Sequence, residues 1–389
     1  MKRANGMRYN FSNIGLSGYA PTWIDIDLSA IRHNFLRIKN MVTKGTAILA
    51  PVKANAYGHG ILEVSKTLVN LGVDYLGVST LNEAMLLRSN GFAKIPVLMM
   101  GAILARSADI VIENNITQTV GDIGLAMAID KTAGKRCRRA KVHIKIDTGM
   151  GRIGVWHKDA MSLLLAMRRL KNIEIEGIFS HFASSDADSF LTHGQIAAFN
   201  SLIEEIEKAG IEIRYKHMAN SMAVVDYKSS HMNLIRPGLI LYGLWPKRGV
   251  SRGKIHIKPA LSLNSRIVFL KSVPPGRVIS YGATHTTRRH TRIATIPIGY
   301  GDGLSRRLSN RGYALVKGVR VPIVGRVCMD QTMFDVGRVP GVKKSDRVTL
   351  IGRESGRSIT VDEIAELCET IPYEVVCWLD KRIPRKYKN

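Results

Sequence analysis

Between residues 23 and 240, apolar and polar positions fall into short blocks that switch between two periods. Residues 23–28 (WIDIDL) alternate apolar and acidic side chains, as a half-solvated strand does, and Ser29 is the expected N-cap of a helix carrying Ile31, Phe35, Ile38 and Met41. Apolar runs then predict strands at 48–52, 75–78, 96–100, 117–120, 142–146, 175–179, 215–218 and 232–235. Helical spacing intervenes at Ile61, Val64, Leu68 and Val69, and again at Ala84, Leu86 and Leu87 after a cap at Ser79 or Thr80. It returns around 123–131, over 160–170 and over 194–209, while 110–121 fits either period, with 117–120 as its strand. Eight strands separated largely by helices predict a closed (β/α)₈ barrel. The competing open doubly wound sheet needs a G-x-G-x-x-G turn between first strand and helix, and none is present there.

After about residue 250 the rhythm changes to short extended runs at 261–269, 292–298, 321–324, 331–335 and 347–350, set between Gly and Pro turns. Only 361–370 reads as a helix there. The expected layout is an N-terminal arm at 1–22, a TIM-like barrel at 23–250 and a mainly β domain at 251–389, with strand 23–28 able to pack on the second domain. Neither internal repeats nor low-complexity tracts interrupt it.

Length and an apolar share of 45% over 389 residues allow two sizeable cores and argue against disorder. No apolar run is long enough to span a bilayer, and the basic opening lacks the continuous apolar core of a secretory signal. Cys137, Cys328, Cys368 and Cys377 have no metal-like spacing and read as free thiols, so no metal is expected and a cytoplasmic location is. The net charge of +26 would attract polyanions, and GKRCRRAK at 134–141 is a basic run. The basic residues are otherwise scattered, with no recognisable nucleic-acid module, so a basic surface around a site for anionic small molecules is the better reading. The excess is larger than such a site requires.

Candidate chemistry gathers at strand ends, where a (β/α)₈ barrel carries its active site. APVKANAYGHG (50–60) puts Lys53 after the first strand, with Tyr57 and tight glycine turns beside it. A desolvated amine there suits imine formation or proton transfer, although an ordinary strand-end lysine has the same local pattern. Lys145 and Asp147 close the fifth strand, and Arg152 follows in DTGMGR. His181 follows the sixth strand, His217, Asn220 and Ser221 the seventh, and Arg236 the eighth. Singly each has a bland reading as a solvated charge or a hydrogen-bonded histidine; their convergence on one rim is harder to explain that way. Ser221 and the Gly238–Leu239 backbone, with Tyr57 reaching across, offer the N–H and hydroxyl donors of a phosphate cradle, which beside Lys53 points to pyridoxal phosphate.

With these residues in view, the chain resembles the alanine racemase family from about Trp23 to Tyr387. The resemblance rests on an ordered set: PVKANAYGHG (51–60), KIDTGMGRIGV (145–155), HFASSDAD (181–188), HMANS (217–221), IRPGLILYG (235–243), SYGATH (280–285), GYGDG (299–303), VGRVCMDQ (324–331) and YEVVCWLDKRIPRKY (373–387). It implies a barrel joined to a C-terminal β domain, pyridoxal 5′-phosphate covalently bound to Lys53, and a head-to-tail homodimer in which the partner's C-terminal domain completes each site. It further implies that Lys53 and the partner-supplied Tyr281 are bases on opposite faces of the substrate α-carbon, that His181 hydrogen-bonds Tyr281, and that Arg236 meets the pyridine nitrogen. Tyr57, Ser221, Gly238, Leu239 and Tyr373 would hold the phosphate, with Asn220 alongside. Arg152 and the Met329 N–H would receive the substrate carboxylate near Asp330, and Lys145 matches a lysine that is carbamylated in some relatives. Tyr300 and Arg306 match entrance residues, and Asp186 in SSDAD lies near the same entrance. The implied activity is interconversion of L- and D-alanine, supplying D-alanine for peptidoglycan. Serine or broader racemisation, a decarboxylase of the same plan and a single-barrel cofactor carrier are the alternatives. Arg152, Arg236 and Tyr281 weigh against the decarboxylase, and the long segment after residue 250 against the carrier.

Overall fold

The computed structural model describes residues 20–246 and 253–389, so the expected arm lies almost wholly outside the described residues, as does its expected domain junction. Of the described residues, Leu28–Pro259 form one compact unit, and those up to Asp27 join Ala260–Asn389 in a second.

In the first unit eight parallel strands lie side by side: Ala47–Pro51, Tyr75–Val78, Val97–Met99, Thr117–Val120, Ala140–Asp147, Ile173–Phe179, Tyr215–His217 and Leu234–Ile235. The last pairs back onto the first through Leu234↔Ala47, and Arg236 N donates to Ala219 O at 2.9 Å across the remaining seam. This is a nearly closed barrel. Leu49, Tyr75, Leu98 and Leu234, from four consecutive strands around the ring, pack as one buried cluster. Helix starts follow local capping chemistry. Thr80 and Glu83 form a capping box, while Asp122 and Asn220 cap through their side chains. Asp188 does the same for the helix Ser189–Lys208, which starts five residues before the expected 194 because the cap, not the apolar stripe, sets its first turn. Ser29 does not cap its helix; it lies in the first turn of Leu28–Lys39.

The second unit is mainly β. Its larger sheet runs Val319–Pro322, Tyr313–Val316, Arg347–Glu354, Leu261–Arg266, Trp23–Asp27, Arg385–Lys388, with Arg357–Ile359 on the side. Trp23–Asp27 is thus held between an antiparallel and a parallel partner from the far end of the chain. The extended run at 261–269 is two strands, not one. Ile267 and Val268 separate Leu261–Arg266 from Phe269–Val273, which belongs to a three-stranded sheet with Thr291–Ile296 and Thr332–Asp335. A second helix, Pro372–Trp378, follows Val361–Leu367, with Pro372 where its missing N–H costs nothing.

The basic run at 134–141 is largely occupied within the barrel unit. Arg136 bridges Asp109 and Glu113, Arg138 and Arg139 donate to the Ile112 and Ile173 carbonyls, and Lys141 pairs with Glu176. No helix among the described residues is long and apolar enough to cross a membrane.

Candidate active site

Lys53 stands just beyond the first barrel strand, at the head of a five-residue turn. The four residues after it, Ala54, Asn55, Ala56 and Tyr57, all have φ between 52° and 55°, a left-handed turn built without glycine. Each such residue costs roughly 1–2 kcal/mol, so the surroundings must hold it. They do so through Glu83 Oε1 on Ala54 N (2.6 Å), Asn55 Oδ1 on Ile61 N (3.0 Å) and Asn55 O on Gly60 N (2.9 Å). The turn sends Tyr57 inward, where its ring lies 5.0 Å from that of Tyr242, itself anchored to Pro51 O at 2.8 Å.

Tyr57 thereby meets the cradle after the seventh and eighth strands. Ser221 Oγ accepts from Gly238 N at 2.9 Å and lies 3.4 Å from Ile240 N. A Cβ on Gly238 would sit 3.1 Å from Tyr57 Oη and 3.5 Å from Ser221 Oγ, so glycine keeps open the space on which these two hydroxyls converge. Leu239 is buried beneath it, and Asn220 caps the helix Ser221–Asp226 while bonding Ser185 at 2.9 Å. Asp186 is half-buried next to Ser185.

The rest of the rim is cationic. Arg236 is buried, with Nη2 donating to Ser180 O at 2.7 Å and lying 3.4 Å from His181 Nδ1; burial and the charge of Arg152 lower its pKa to about 9. Burial, and then the charges of Arg236, Arg152, Lys145 and Lys53, keep the His181 imidazole neutral far below its ordinary range. Lys145 is buried with Nζ on Ile146 O at 2.6 Å, and desolvation followed by the charge of Arg236 brings it to about 7. Beside it Gly154 (φ +110°) is obligatory, since a Cβ would lie 2.7 Å from Lys145 O. Burial works to raise Asp147, but N–H groups of Gly149, Gly151 and Met150 outweigh it and hold the carboxylate below its usual range. That wrapped loop presents the exposed Arg152.

The remaining expected residues come together in the second unit. Tyr281 lies on a turn bracketed by Ser280 (φ 68°), Gly282 (φ 70°) and Ala283 (φ 51°), and its side chain is 71% exposed. Ser280 Oγ donates to Arg326 O at 2.6 Å, Tyr300 N to Cys328 O at 3.0 Å and Gly301 N to Met329 O at 2.9 Å. Ser309 ties Arg306 into the same frame, donating to Arg306 O at 2.5 Å and accepting from Val327 N at 3.0 Å. Arg382 bridges Asp330 and Asp302 at 3.0 and 2.7 Å. Tyr281, Tyr300, Met329, Asp330 and Arg306 therefore share one hydrogen-bonded, largely exposed frame, and Tyr373 is half-buried in the first turn of its helix.

Residues 26–246 match the family model described as alanine racemase, N-terminal domain, and 260–387 that described as alanine racemase, C-terminal domain. The chain belongs to the alanine racemase family. It is 43% identical to an alanine racemase of Halothermothrix orenii, covering 95% of this chain and 97% of that protein. It is 45% identical to alanine racemase 2 of Caldanaerobacter subterraneus subsp. tengcongensis, covering 94% and 95%. Among solved structures, the alanine racemase of Clostridium difficile 630 superimposes with a TM-score of 0.90 at 37% identity, covering 95% of this chain and 96% of that one. One from Bacillus anthracis with bound L-Ala-P gives 0.90 at 34%, covering 95% and 96%. Alanine racemases are pyridoxal-phosphate-dependent, and the donor set here suits that group: a hydroxyl and backbone cradle for a phosphate, a nearby lysine, and a buried arginine lining the same rim.

Sequence reasoning passed over His143 and Glu176, which lie inside the barrel on the fifth and sixth strands, and Arg382, which orients Asp330. The first had a signal: K-x-H-x-K-x-D over 141–147 alternates polar residues in a strand whose other positions are apolar.

Proposed function

We propose that the protein interconverts L-alanine and D-alanine as a homodimer, with pyridoxal 5′-phosphate bound covalently to Lys53. The observation that carries this reading is the cradle of Ser221, Gly238 and Tyr57 beside Lys53 in a chain of this family. When bound, the cofactor supplies an electron sink that acidifies the substrate's α-proton. Lys53 Nζ takes or returns that proton on one face, and Tyr281 Oη, contributed by the second copy of the chain, on the other. The exposure of Tyr281, Tyr300 and Met329 supports a frame that is finished only by docking onto another copy. Tyr57, Ser221, Gly238, Leu239 and Tyr373 hold the phosphate, with Asn220 setting the helix start beneath it. Arg236 serves the ring nitrogen, where a cation disfavours protonation and so restrains side reactions. Arg152 and the Met329 N–H receive the substrate carboxylate, with Asp330 held close by Arg382; Met329 and Tyr373 crowd side chains longer than a methyl. His181, held neutral with Nδ1 facing Arg236, carries its proton on the other ring nitrogen and donates it to the Tyr281 oxygen, and Tyr300, Arg306 and Asp186 line the entrance.

Lys145 is part of the same design. An amine with a pKa near 7 is substantially unprotonated at neutral pH, and its Nζ can add to CO₂ with loss of one proton. The resulting carbamate replaces a buried cation by an anion that orients Arg152. The enzyme acts in the cytoplasm and supplies D-alanine for peptidoglycan.

Chiral product analysis of the purified protein on alanine, serine, lysine, ornithine and aspartate, with and without added cofactor, tests the reading. Alanine should be racemised fastest and only with cofactor; a faster rate on serine or a basic amino acid would reassign the substrate.

A further inference from the structure

A column of buried polar side chains runs through the barrel interior from Arg236. Arg236 Nη1 meets His217 Nδ1 at 2.7 Å, His217 Nε2 meets His143 Nδ1 at 2.8 Å, and His143 Nε2 lies 3.5 Å from Glu176 Oε2. The last gap is long for a hydrogen bond, and His143 Nε2 makes no other. Glu176 also accepts from the Tyr75 hydroxyl and from Lys141 Nζ at 2.5 Å. All four members are almost fully buried, at 4%, 0%, 0% and 3% exposure in that order. The lining of a (β/α)₈ barrel is usually aliphatic, so a line of four polar groups in it needs a reason.

Only one arrangement of protons satisfies the line. A guanidinium has donors and no acceptor, so His217 Nδ1 must accept. A neutral His217 then carries its proton on Nε2 and donates to His143 Nδ1, which leaves the His143 proton on Nε2, aimed at Glu176. Protonating His143 would set two hydrogens against each other in the gap to His217, and burial drives both rings towards the neutral form. Burial would raise Glu176, but the facing His143 and the hydrogen bonds of Lys141 and Tyr75 overcome it and hold the carboxylate at about 2, ionised throughout the physiological range. The rings are also fixed in place. A Cβ on Gly177 would lie 2.6 Å from His143 Nδ1, and Phe179 stacks on His217 at 4.8 Å with planes 1° apart. The direction of every donor in the column is therefore set by a fixed cation at one end and a fixed anion at the other.

We propose that Glu176 is a positioning residue for racemisation, holding Arg236 in its working place by fixing the proton arrangement of His143 and His217. This rests on the reading that Arg236 serves the cofactor. With an amide at 176, a donor can face His143 Nε2, move the His143 proton to Nδ1 and turn it against His217, so that Arg236 loses its acceptor.

The test is the ring-nitrogen chemical shifts of the full-length enzyme labelled with ¹⁵N only at histidine, together with steady-state kinetics. In the unaltered enzyme both rings should be neutral with the proton on Nε2. Glu176→Gln should shift part of the His143 signal to the Nδ1 form and lower kcat about tenfold, with KM for alanine within about twofold, the pattern of a lost supporting contact. Glu176→Asp, which keeps the anion, should recover the Nε2 form and most of the lost kcat. An Nδ1 proton on either ring of the unaltered enzyme would overturn the proposal, and that measurement stands even if Glu176→Gln fails to fold. So would unchanged kcat in a folded Glu176→Gln. Failure of the unaltered enzyme to racemise alanine would instead overturn the functional reading, whatever protons the two rings carry.

Discussion

In the barrel unit, Lys145, Ser221 and Arg236 are buried and His181 is held neutral by its surroundings, whereas in the C-terminal unit Tyr281, Tyr300 and Met329 stand exposed on a frame of backbone hydrogen bonds. The two groups of residues have been prepared differently. Desolvation in the barrel weakens the hold on a proton: it leads the shifts that bring Lys145 to about 7 and Arg236, still a cation at neutral pH, to about 9. The C-terminal frame changes position only, aiming Tyr281 from a turn of three residues at positive φ that Arg326 and Cys328 pin from behind. A buried group is finished when its own unit folds. In the proposed dimer, an exposed aromatic aimed outward is finished when another copy covers it.

Substitutions in each unit put this contrast under strain. Lys53→Ala should have the largest effect, a loss of at least about 10³-fold in racemisation, with disappearance of the borohydride-sensitive absorbance of the bound cofactor. Tyr281→Phe should cost about 10²–10⁴-fold while leaving that absorbance in place. Deuterium exchange at the α-carbon should then be impaired more for one enantiomer than for the other; equal residual exchange would remove Tyr281 from the role of second base. Gly238→Ala places a methyl between Tyr57 and Ser221 and should weaken cofactor affinity about tenfold, measured by fluorescence titration.

Lys145 supplies the effect most specific to burial. The unfolded chain keeps its lysine proton up to about pH 10.4, while the folded amine releases it near 7. Between these values the unfolded state binds more protons, so Lys145 makes stability rise with pH there and contributes no slope outside that window. In CO₂-free buffer the urea midpoint should therefore increase from about pH 7 to about pH 9, and Lys145→Met should flatten the rise. An unchanged slope would mean that the amine is not desolvated.

Much of this was legible in the chain. The eight barrel strands are short apolar runs whose period survives folding, and Lys53, Arg152, His181, Ser221 and Arg236 follow strand ends where the barrel rule puts them. What escaped has physical causes. The left-handed turn at Ala54–Tyr57 contains no glycine, so nothing local announces it; Glu83 and Asn55 impose it. His143 and Glu176 were hidden because an apolar run marks a strand, while a polar line inside a barrel emerges only when strands are placed beside each other. The division of 261–269 depends on which sheet each half joins, a long-range choice that no local pattern encodes. The start of Pro372–Trp378, by contrast, carried a readable signal in Pro372 at its first position.

In the proposed dimer each site takes its amine from one copy of the chain and its phenol from another. Mixing purified Lys53→Ala and Tyr281→Phe, dissociating and reassociating them, tests this without intermediate assumptions. If sites are shared, half of the random dimers are mixed and each of these has one intact site, so activity should rise from near zero to about a quarter of that of the unaltered enzyme. A mixture that stays as inactive as its components would show that amine and phenol come from the same chain, and shared sites would be refuted.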